Sequence, residues 1–153
     1  MGTKLLYYLI LIPISSLPFF LIYLLSDFLF FVIYRLVGYR RKVVFQNIRN
    51  SFPEKSEQEI KSIEAKFYHH LCDLIVESIK AFTITKEEAQ LRMVDRNIDL
   101  VNQFKKTGKH VVLVGGHYGN WELFAITIGV ALEYKSLALF TPLKNKFMND
   151  KIS

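Results

Sequence analysis

The chain has 153 residues, of which 51% are hydrophobic and 22% are charged, so it has room for one ordinary domain with or without a membrane segment. This amount of apolar surface excludes an intrinsically disordered chain. A single cysteine excludes an intramolecular disulfide framework and a cysteine-rich zinc site. The net charge of +6 suits a nucleic acid, an anionic membrane surface or an acidic partner, and does not choose among them.

The amino-terminal segment, residues 1–34, is almost free of charge: it carries one Lys and one Asp. Its uncharged run from Leu5 to Ser26 has 22 residues. At about 1.5 Å per residue this run covers roughly 33 Å, enough for a hydrocarbon core of about 30 Å. A signal peptide has a shorter apolar region and a small-residue cleavage site. We therefore predict an uncleaved transmembrane anchor over 1–34, bent or restarted at its prolines, with a buried core helix as the alternative.

A cluster of cations follows the anchor, with no acidic residue before Glu54. Its leading members are Arg35, Arg40, Arg41 and Lys42. The positive-inside rule places this flank in the cytoplasm, so residues 35–153 are predicted to be a cytosolic domain on a single-pass anchor. The cations either contact anionic headgroups at the membrane surface or only set orientation. No nucleic-acid motif appears, so we do not expect a nucleic-acid partner.

The middle of the chain, residues 55–107, has helical patterning. Ser56 and Glu59 form a capping box before a helix of about 25 residues, and Thr85 and Glu88 form a second one. Gly108 is a helix-stop signal. Apolar residues at spacings of three and four predict the buried face of the long helix: Ile60, Ile63, Phe67, Leu71, Leu74, Ser78 and Phe82.

No metal site is predicted. His69 and Cys72 supply only one pair at i,i+3 on the long helix, whereas zinc needs three or four ligands. These residues and the neighbouring His70 and Asp73 are interpreted as ordinary packing and surface residues.

The last third of the chain is predicted to be a βαβ unit over residues 109–140. Val111–Val114 and Ser136–Phe140 have the composition of buried strands, and Leu123–Leu132 that of the helix between them. Such a unit makes a parallel pair, so the fold class is α/β. His117 then lies on the turn from strand to helix, at the sheet edge where α/β proteins bind ligands.

A histidine and a carboxylate share this turn. With His117 in the turn and Glu122 in the first helical turn, the carboxylate comes within reach of the imidazole and holds one tautomer. A histidine is suited to accept a proton from a hydroxyl at neutral pH. The segment contains no serine or cysteine nucleophile, so the hydroxyl belongs to a substrate. On these grounds alone, a structural histidine remains the alternative.

The segment that contains this pair resembles the HxxxxD/E signature of bacterial lipid A biosynthesis acyltransferases. It runs Gly116-His117-Tyr118-Gly119-Asn120-Trp121-Glu122. Other stretches are similar to the family in the expected order: the apolar anchor, Arg41–Pro53, Lys106–Lys109 and Thr141–Asn145.

The resemblance implies transfer of a fatty acyl chain from acyl carrier protein to a hydroxyl of a lipid A precursor, at the cytoplasmic face of the bacterial inner membrane. His117 would be the general base, Glu122 its orienting partner, and the five residues Gly116, Tyr118, Gly119, Asn120 and Trp121 would bind substrate or shape the site. No metal or organic cofactor is implied. The fold implied is an acyltransferase-type sheet, incomplete in this chain.

Family members are about twice this long, so the resemblance also leads us to expect an amino-terminal fragment. Two alternatives stay open. One keeps the chemistry and changes the acceptor to a lysophospholipid, an aminolipid or a glycosylated phosphoinositol. The other is an inactive, membrane-anchored remnant.

Overall fold

The computed structural model describes residues 2–139 and 141–152, and within them it contains helices and no β-strand. The chain forms two compact units, one of residues 17–79 and one of residues 1–16 with 80–153. The helices in chain order are α1 (Gly2–Ser15), α2 (Phe19–Val37), α3 (Arg41–Ser51), α4 (Glu57–Lys80), α5 (Lys86–Arg92), α6 (Ile98–Asn102), α7 (Trp121–Ala131) and α8 (Lys146–Ile152). The α1 and α2 helices each include a π-helical stretch, at Tyr7–Leu11 and Phe31–Val37, and α6 continues as a 3₁₀ helix over Gln103–Thr107.

The apolar amino terminus forms two helices, α1 and α2, because the chain breaks before Pro18. A proline has no N–H to donate, and Pro18 has an extended backbone (φ −64°, ψ 153°) that begins a new helix instead of continuing the first. The helix therefore restarts at a proline, as predicted, and Leu5–Ser26 is divided between two helices. Among the described residues, α2 is the one helix long and apolar enough to cross a membrane, and Asp27 lies near its middle.

In the unit of residues 17–79, α4 has a buried face that repeats every fourth residue. The buried members are Ile60, Glu64, Tyr68, Cys72 and Val76. The predicted buried face differs from the observed one by a rotation about the helix axis. Ile60 belongs to both faces, but Phe67, which was predicted to be buried, is 43% exposed. The difference arises because a hydrophobicity pattern assigns a glutamate such as Glu64 to the surface, whereas the Glu64 carboxylate is buried and lies 3.1 Å from the Arg41 guanidinium.

The predicted helix signals are confirmed. Glu59 accepts hydrogen bonds from the backbone and side chain of Ser56 at 2.9 and 2.8 Å. Thr85 and Glu88 form the second capping box at the start of α5. Gly108 ends the stretch after α6 in the left-handed region, with φ at 70°.

The βαβ prediction is wrong in its strands, and with it the α/β fold class and the acyltransferase-type sheet. Residues 109–116 and 132–139 form neither helix nor strand, and Phe140 lies outside the described residues. Val112, Val114 and Leu139 are 84, 92 and 94% exposed. A strand exists only where a neighbour accepts and donates its backbone hydrogen bonds, and two strands alone are marginal. The helix of the predicted unit does form, as α7, because its hydrogen bonds are all local.

In the unit of residues 1–16 and 80–153, α6 and α7 are joined by a buried asparagine. The Asn102 amide donates to the carbonyl of Ala131 at 3.3 Å and its oxygen accepts from the N–H of Glu133 at 3.0 Å. Asn102 thus binds the carboxyl end of α7, where helix carbonyls lack partners within the helix. This bond network fixes the helix whose amino terminus carries the candidate site.

Candidate active site at the start of helix α7

The motif segment is a tight turn that leads into α7. The N–H of Tyr118 donates to the carbonyl of Gly116 at 3.0 Å, and Gly119 has φ at 63°. Glycine adopts this left-handed conformation without steric cost. Asn120 then caps the helix, since its side-chain oxygen accepts from the N–H of Leu123 at 2.9 Å. The Asn and Gly residues of the motif therefore have local structural roles, turning the chain and starting the helix.

His117 is exposed and lies against the indole of Trp121. The two ring centroids are 4.6 Å apart with an interplanar angle of 62°, an edge-on arrangement. Trp121 is itself 46% exposed and Tyr118 is 94% exposed. The imidazole thus lies beside an aromatic ring on an accessible surface.

Glu122 lies in the first turn of α7 and is partly buried. In the part of the chain that the structure describes, no hydrogen bond or ion pair joins Glu122 to His117. The structure therefore places the two residues on adjoining pieces of backbone, the turn and the helix start, without a hydrogen bond between their side chains. That pairing stays a prediction.

An open, mostly apolar cavity of about 350 Å³ lies in the same unit and extends to α7. Its wall includes Phe124 and Ile128 from the helix, Leu113 from the segment before the motif, and Met93, Val94, Ile98 and Val101. Asp95, Arg96 and Asn97 supply its polar wall. Sequence reasoning missed this cavity. The only available signal was the apolar pair Met93-Val94 between two short helices, a pattern that does not distinguish a cavity wall from a core.

A comparison with known protein families identifies the family of the chain. The model of the bacterial lipid A biosynthesis acyltransferase family matches residues 1–153. The chain belongs to this family. Searches of curated proteins and of solved structures give no significant match.

Membership of the lipid A biosynthesis acyltransferases confirms the resemblance read from the motif. The match includes His117 and Glu122, and it gives acyl transfer in lipid A biosynthesis as the general class of the protein. No group of three His, Cys, Asp or Glu side chains comes together as metal ligands in residues 2–139 and 141–152. The motif itself offers an imidazole, a carboxylate and two aromatic rings, from His117, Glu122, Tyr118 and Trp121.

The predicted membrane-surface cations of this acyltransferase family member differ in their surroundings. The Arg41 guanidinium is bound to Glu64, at 3.2 Å through Nε and 3.1 Å through Nη2, and lies 4.5 Å from the centre of the Tyr34 ring. The hydrogen bond to Glu64 raises the pKa of Arg41 above its usual value. By contrast, Arg35, Arg40 and Lys42 are exposed, and the described residues offer them no ion pair.

Proposed function

We propose that this protein transfers a fatty acyl chain from acyl carrier protein to a hydroxyl of a lipid A precursor, with His117 as general base and Glu122 as its orienting partner. The family match over residues 1–153, which includes this pair, carries the proposal. The exposed position of His117 at the start of α7 supports it.

The reaction needs one proton acceptor and one place for negative charge. His117 removes the proton from the acceptor hydroxyl as the oxygen attacks the thioester carbonyl of the donor. The carbonyl oxygen gains charge in the tetrahedral intermediate, where N–H groups at the start of a helix such as α7 are suited to stabilise it. The intermediate then expels the carrier thiolate, which takes the proton from the imidazolium. The products are an ester and the free thiol of the carrier.

Glu122 is proposed to hold the imidazole once substrate is bound. Catalytic hydrogen bonds are often absent or long in a free enzyme and tighten in the substrate complex, so the missing His117–Glu122 contact is compatible with this role. The carboxylate would then stabilise the imidazolium that forms as the proton is transferred. The apolar cavity lined by Phe124 and Ile128 is suited to an alkyl chain.

The donor is proposed to bind through charge. Acyl carrier proteins are acidic, and Lys106 and Lys109 lie exposed in the segment that leads to the motif. Complementary charge speeds the encounter of two proteins and fixes their orientation. The site is proposed to face the cytoplasm at the bacterial inner membrane. The sequence predicts a single crossing by an anchor within residues 1–34.

The decisive experiment measures acyl transfer by the purified chain from a labelled acyl carrier protein thioester to a lipid A precursor. His117→Ala is expected to lower kcat about 10²–10⁴-fold, the usual contribution of a general base. Glu122→Gln should lower kcat less and leave KM nearly unchanged. His110→Ala changes an exposed histidine outside the motif and is the matched control. A His117→Ala enzyme with wild-type kcat contradicts the assignment.

The acceptor is identified in the same assay. A lysophospholipid, an aminolipid and a glycosylated phosphoinositol are offered beside the lipid A precursor, and mass spectrometry detects the acylated product. Preferential acylation of one of these would replace the proposed acceptor and keep the chemistry.

An inactive, membrane-anchored family member is the second candidate. The observation that favours it is the absence of a hydrogen bond between His117 and Glu122. Turnover of the thioester by the purified wild-type chain, lost in His117→Ala, excludes this candidate.

A further inference from the structure

The first helix, α1, packs with the part of the chain that carries the candidate site. The Tyr7 ring is 7% exposed and lies edge-on against Phe82 and Phe147, with centroid separations of 5.5 and 5.4 Å. These contacts join the first turns of the chain to residues more than seventy positions away, inside one compact unit.

Two hydrogen bonds reinforce this contact. Thr83 Oγ1 donates to the carbonyl of Ser15 at 2.6 Å, and the side chain of Asn145 donates to the hydroxyl of Thr3 at 3.0 Å. Residues 1–16 and 80–153 therefore lie on one side of any membrane, because a bilayer cannot run between groups in direct contact. A single crossing by α2 would separate them.

The second helix, α2, is joined along its length to α4 by polar contacts. Side-chain oxygens or nitrogens meet at 2.5–3.3 Å in four pairs: Tyr23–Glu77, Ser26–Asp73, Asp27–His69 and Tyr34–Glu64. The residue numbers rise along α2 as they fall along α4, so the two helices run antiparallel. A membrane-crossing α2 would either lose these partners or carry α4 with it.

Helix α4 cannot enter a hydrocarbon core. Besides the four polar partners of α2, it carries an exposed ion pair between Glu57 and Lys61 and an exposed lysine at position 66. Ionisable groups in hydrocarbon are costly unless they face a polar interior. Helix α4, together with the polar groups of α2 that contact it, therefore stays outside the bilayer core.

Another face of α2 carries a stripe of exposed apolar side chains. Its members are Phe20, Leu24, Phe28 and Phe31, with exposures of 71, 63, 62 and 51%. Their spacing of four, four and three places them along one side of the helix. Exposed contiguous apolar surface of this kind marks an interaction site. The exposed cations Arg35 and Lys42 follow its carboxyl end and complement the charge of an anionic lipid surface.

We infer that α2 does not cross the membrane but lies along one leaflet of an anionic bilayer, with the Phe20–Leu24–Phe28–Phe31 stripe in the lipid and α4 on the aqueous side. Helices that lie in the interface bury one apolar face and keep a polar face in water. Both ends of the chain are then on the same side of the membrane. This inference does not rest on the proposed catalysis, and its test requires no activity.

Cysteine labelling with a membrane-impermeant maleimide tests the topology. Gly2→Cys places a thiol at an exposed position where an added Cβ meets nothing within 4 Å, and Ser136→Cys places one at an exposed position near the other end. The unchanged chain is the blank, since burial raises the pKa of the Cys72 thiol and keeps it slow to react.

The inference expects both new cysteines to label in inside-out vesicles and neither to label in spheroplasts. A single crossing expects Gly2→Cys to label in spheroplasts and Ser136→Cys only in inside-out vesicles. That second pattern overturns the inference, and it does so whether or not the protein transfers acyl chains.

Vesicle flotation tests the stripe itself. The double variant Leu24→Ser, Phe28→Ser should reduce the fraction bound to phosphatidylglycerol vesicles at least about tenfold, because two of four lipid-facing side chains are lost. Leu91→Ser, Val94→Ser removes two apolar side chains of the other unit that are even more exposed, and it is the matched control. Equal loss in both double variants contradicts the assignment of the stripe to the lipid. The role of the cations is contradicted if the wild type and Lys42→Gln both bind purely zwitterionic vesicles as tightly as phosphatidylglycerol vesicles.

Discussion

Arg41 and Glu64 form a two-point hydrogen bond in which Nε and Nη2 of the guanidinium lie 3.2 and 3.1 Å from the two carboxylate oxygens. The carboxylate side chain is only 2% exposed, whereas that of Arg41 is 44% exposed. Tyr34 donates to the same carboxylate at 3.3 Å. A negative charge buried on α4 is therefore matched by Arg41, a member of the cation cluster that follows the apolar amino-terminal segment.

Arg41→Ala is predicted to destabilise the unit of residues 17–79, because it leaves a buried carboxylate without its cation. The cost of breaking a buried pair is about 3–5 kcal/mol, and solvent access to Arg41 lowers the expected value to about 2–3 kcal/mol. Urea unfolding measures it. Lys42→Ala, an exposed neighbour without an ion pair, should change stability by less than about 0.5 kcal/mol. Adding Glu64→Gln to Arg41→Ala should recover part of the loss, and no recovery would refute the charge explanation.

A pH dependence is predicted at the start of α4. The hydroxyl and backbone N–H of Ser56, with a smaller contribution from Lys55, lower the pKa of Glu59 below its usual value. A carboxylate whose pKa is lower in the folded state stabilises the fold above its unfolded pKa of about 4.3, and this contribution is lost as pH falls through the folded pKa.

The urea midpoint should therefore fall as the solution is acidified from about pH 5 to pH 3, and Glu59→Gln should make this fall shallower. Glu54→Gln removes an exposed carboxylate outside the capping box and controls for net charge. Identical pH profiles for wild type and Glu59→Gln would show that the cap does not titrate with folding.

The residues that sequence analysis placed correctly act over short stretches of chain. The capping pairs Ser56–Glu59 and Thr85–Glu88 and the stop at Gly108 depend on neighbours three to six positions away, so a local pattern contains all the information. The turn at Gly119 belongs to the same class, whereas the cap that Asn120 provides for α7 is not among the predictions.

The predictions that failed required a distant partner. Whether Val111–Val114 is a strand depends on a neighbouring strand, and apolar composition alone does not supply one. The buried face of α4 depends on Arg41, which lies 23 residues before Glu64 and neutralises it. The contact of Tyr7 with Phe82 has no signal in either local sequence. For the candidate site, the motif supplies His117 and Glu122 as candidates but not the distance between them, which depends on side-chain torsions.

Asn102 is predicted to control the end of helix α7. Asn102→Ala removes one acceptor and one donor from a buried position, so the N–H of Glu133 and the carbonyl of Ala131 lose their partner. Such a loss costs about 1–3 kcal/mol. Hydrogen exchange at the Glu133 amide should accelerate about fivefold to more than a hundredfold. Asn102→Asp keeps the acceptor for that amide and should restore most of the protection, whereas Gln103→Ala next to it should have little effect.

Trp121 offers a direct probe of the candidate base, since it is the only tryptophan in the sequence and its ring lies 4.6 Å from that of His117. The emission of an indole depends on the groups that contact its ring, and the imidazole of His117 lies edge-on to it. His117→Ala is therefore predicted to change the intensity of Trp121 emission at constant pH. His110→Ala, which removes an exposed histidine outside the motif, should leave the emission intact. Unchanged emission in His117→Ala would show that the two rings do not contact each other in solution.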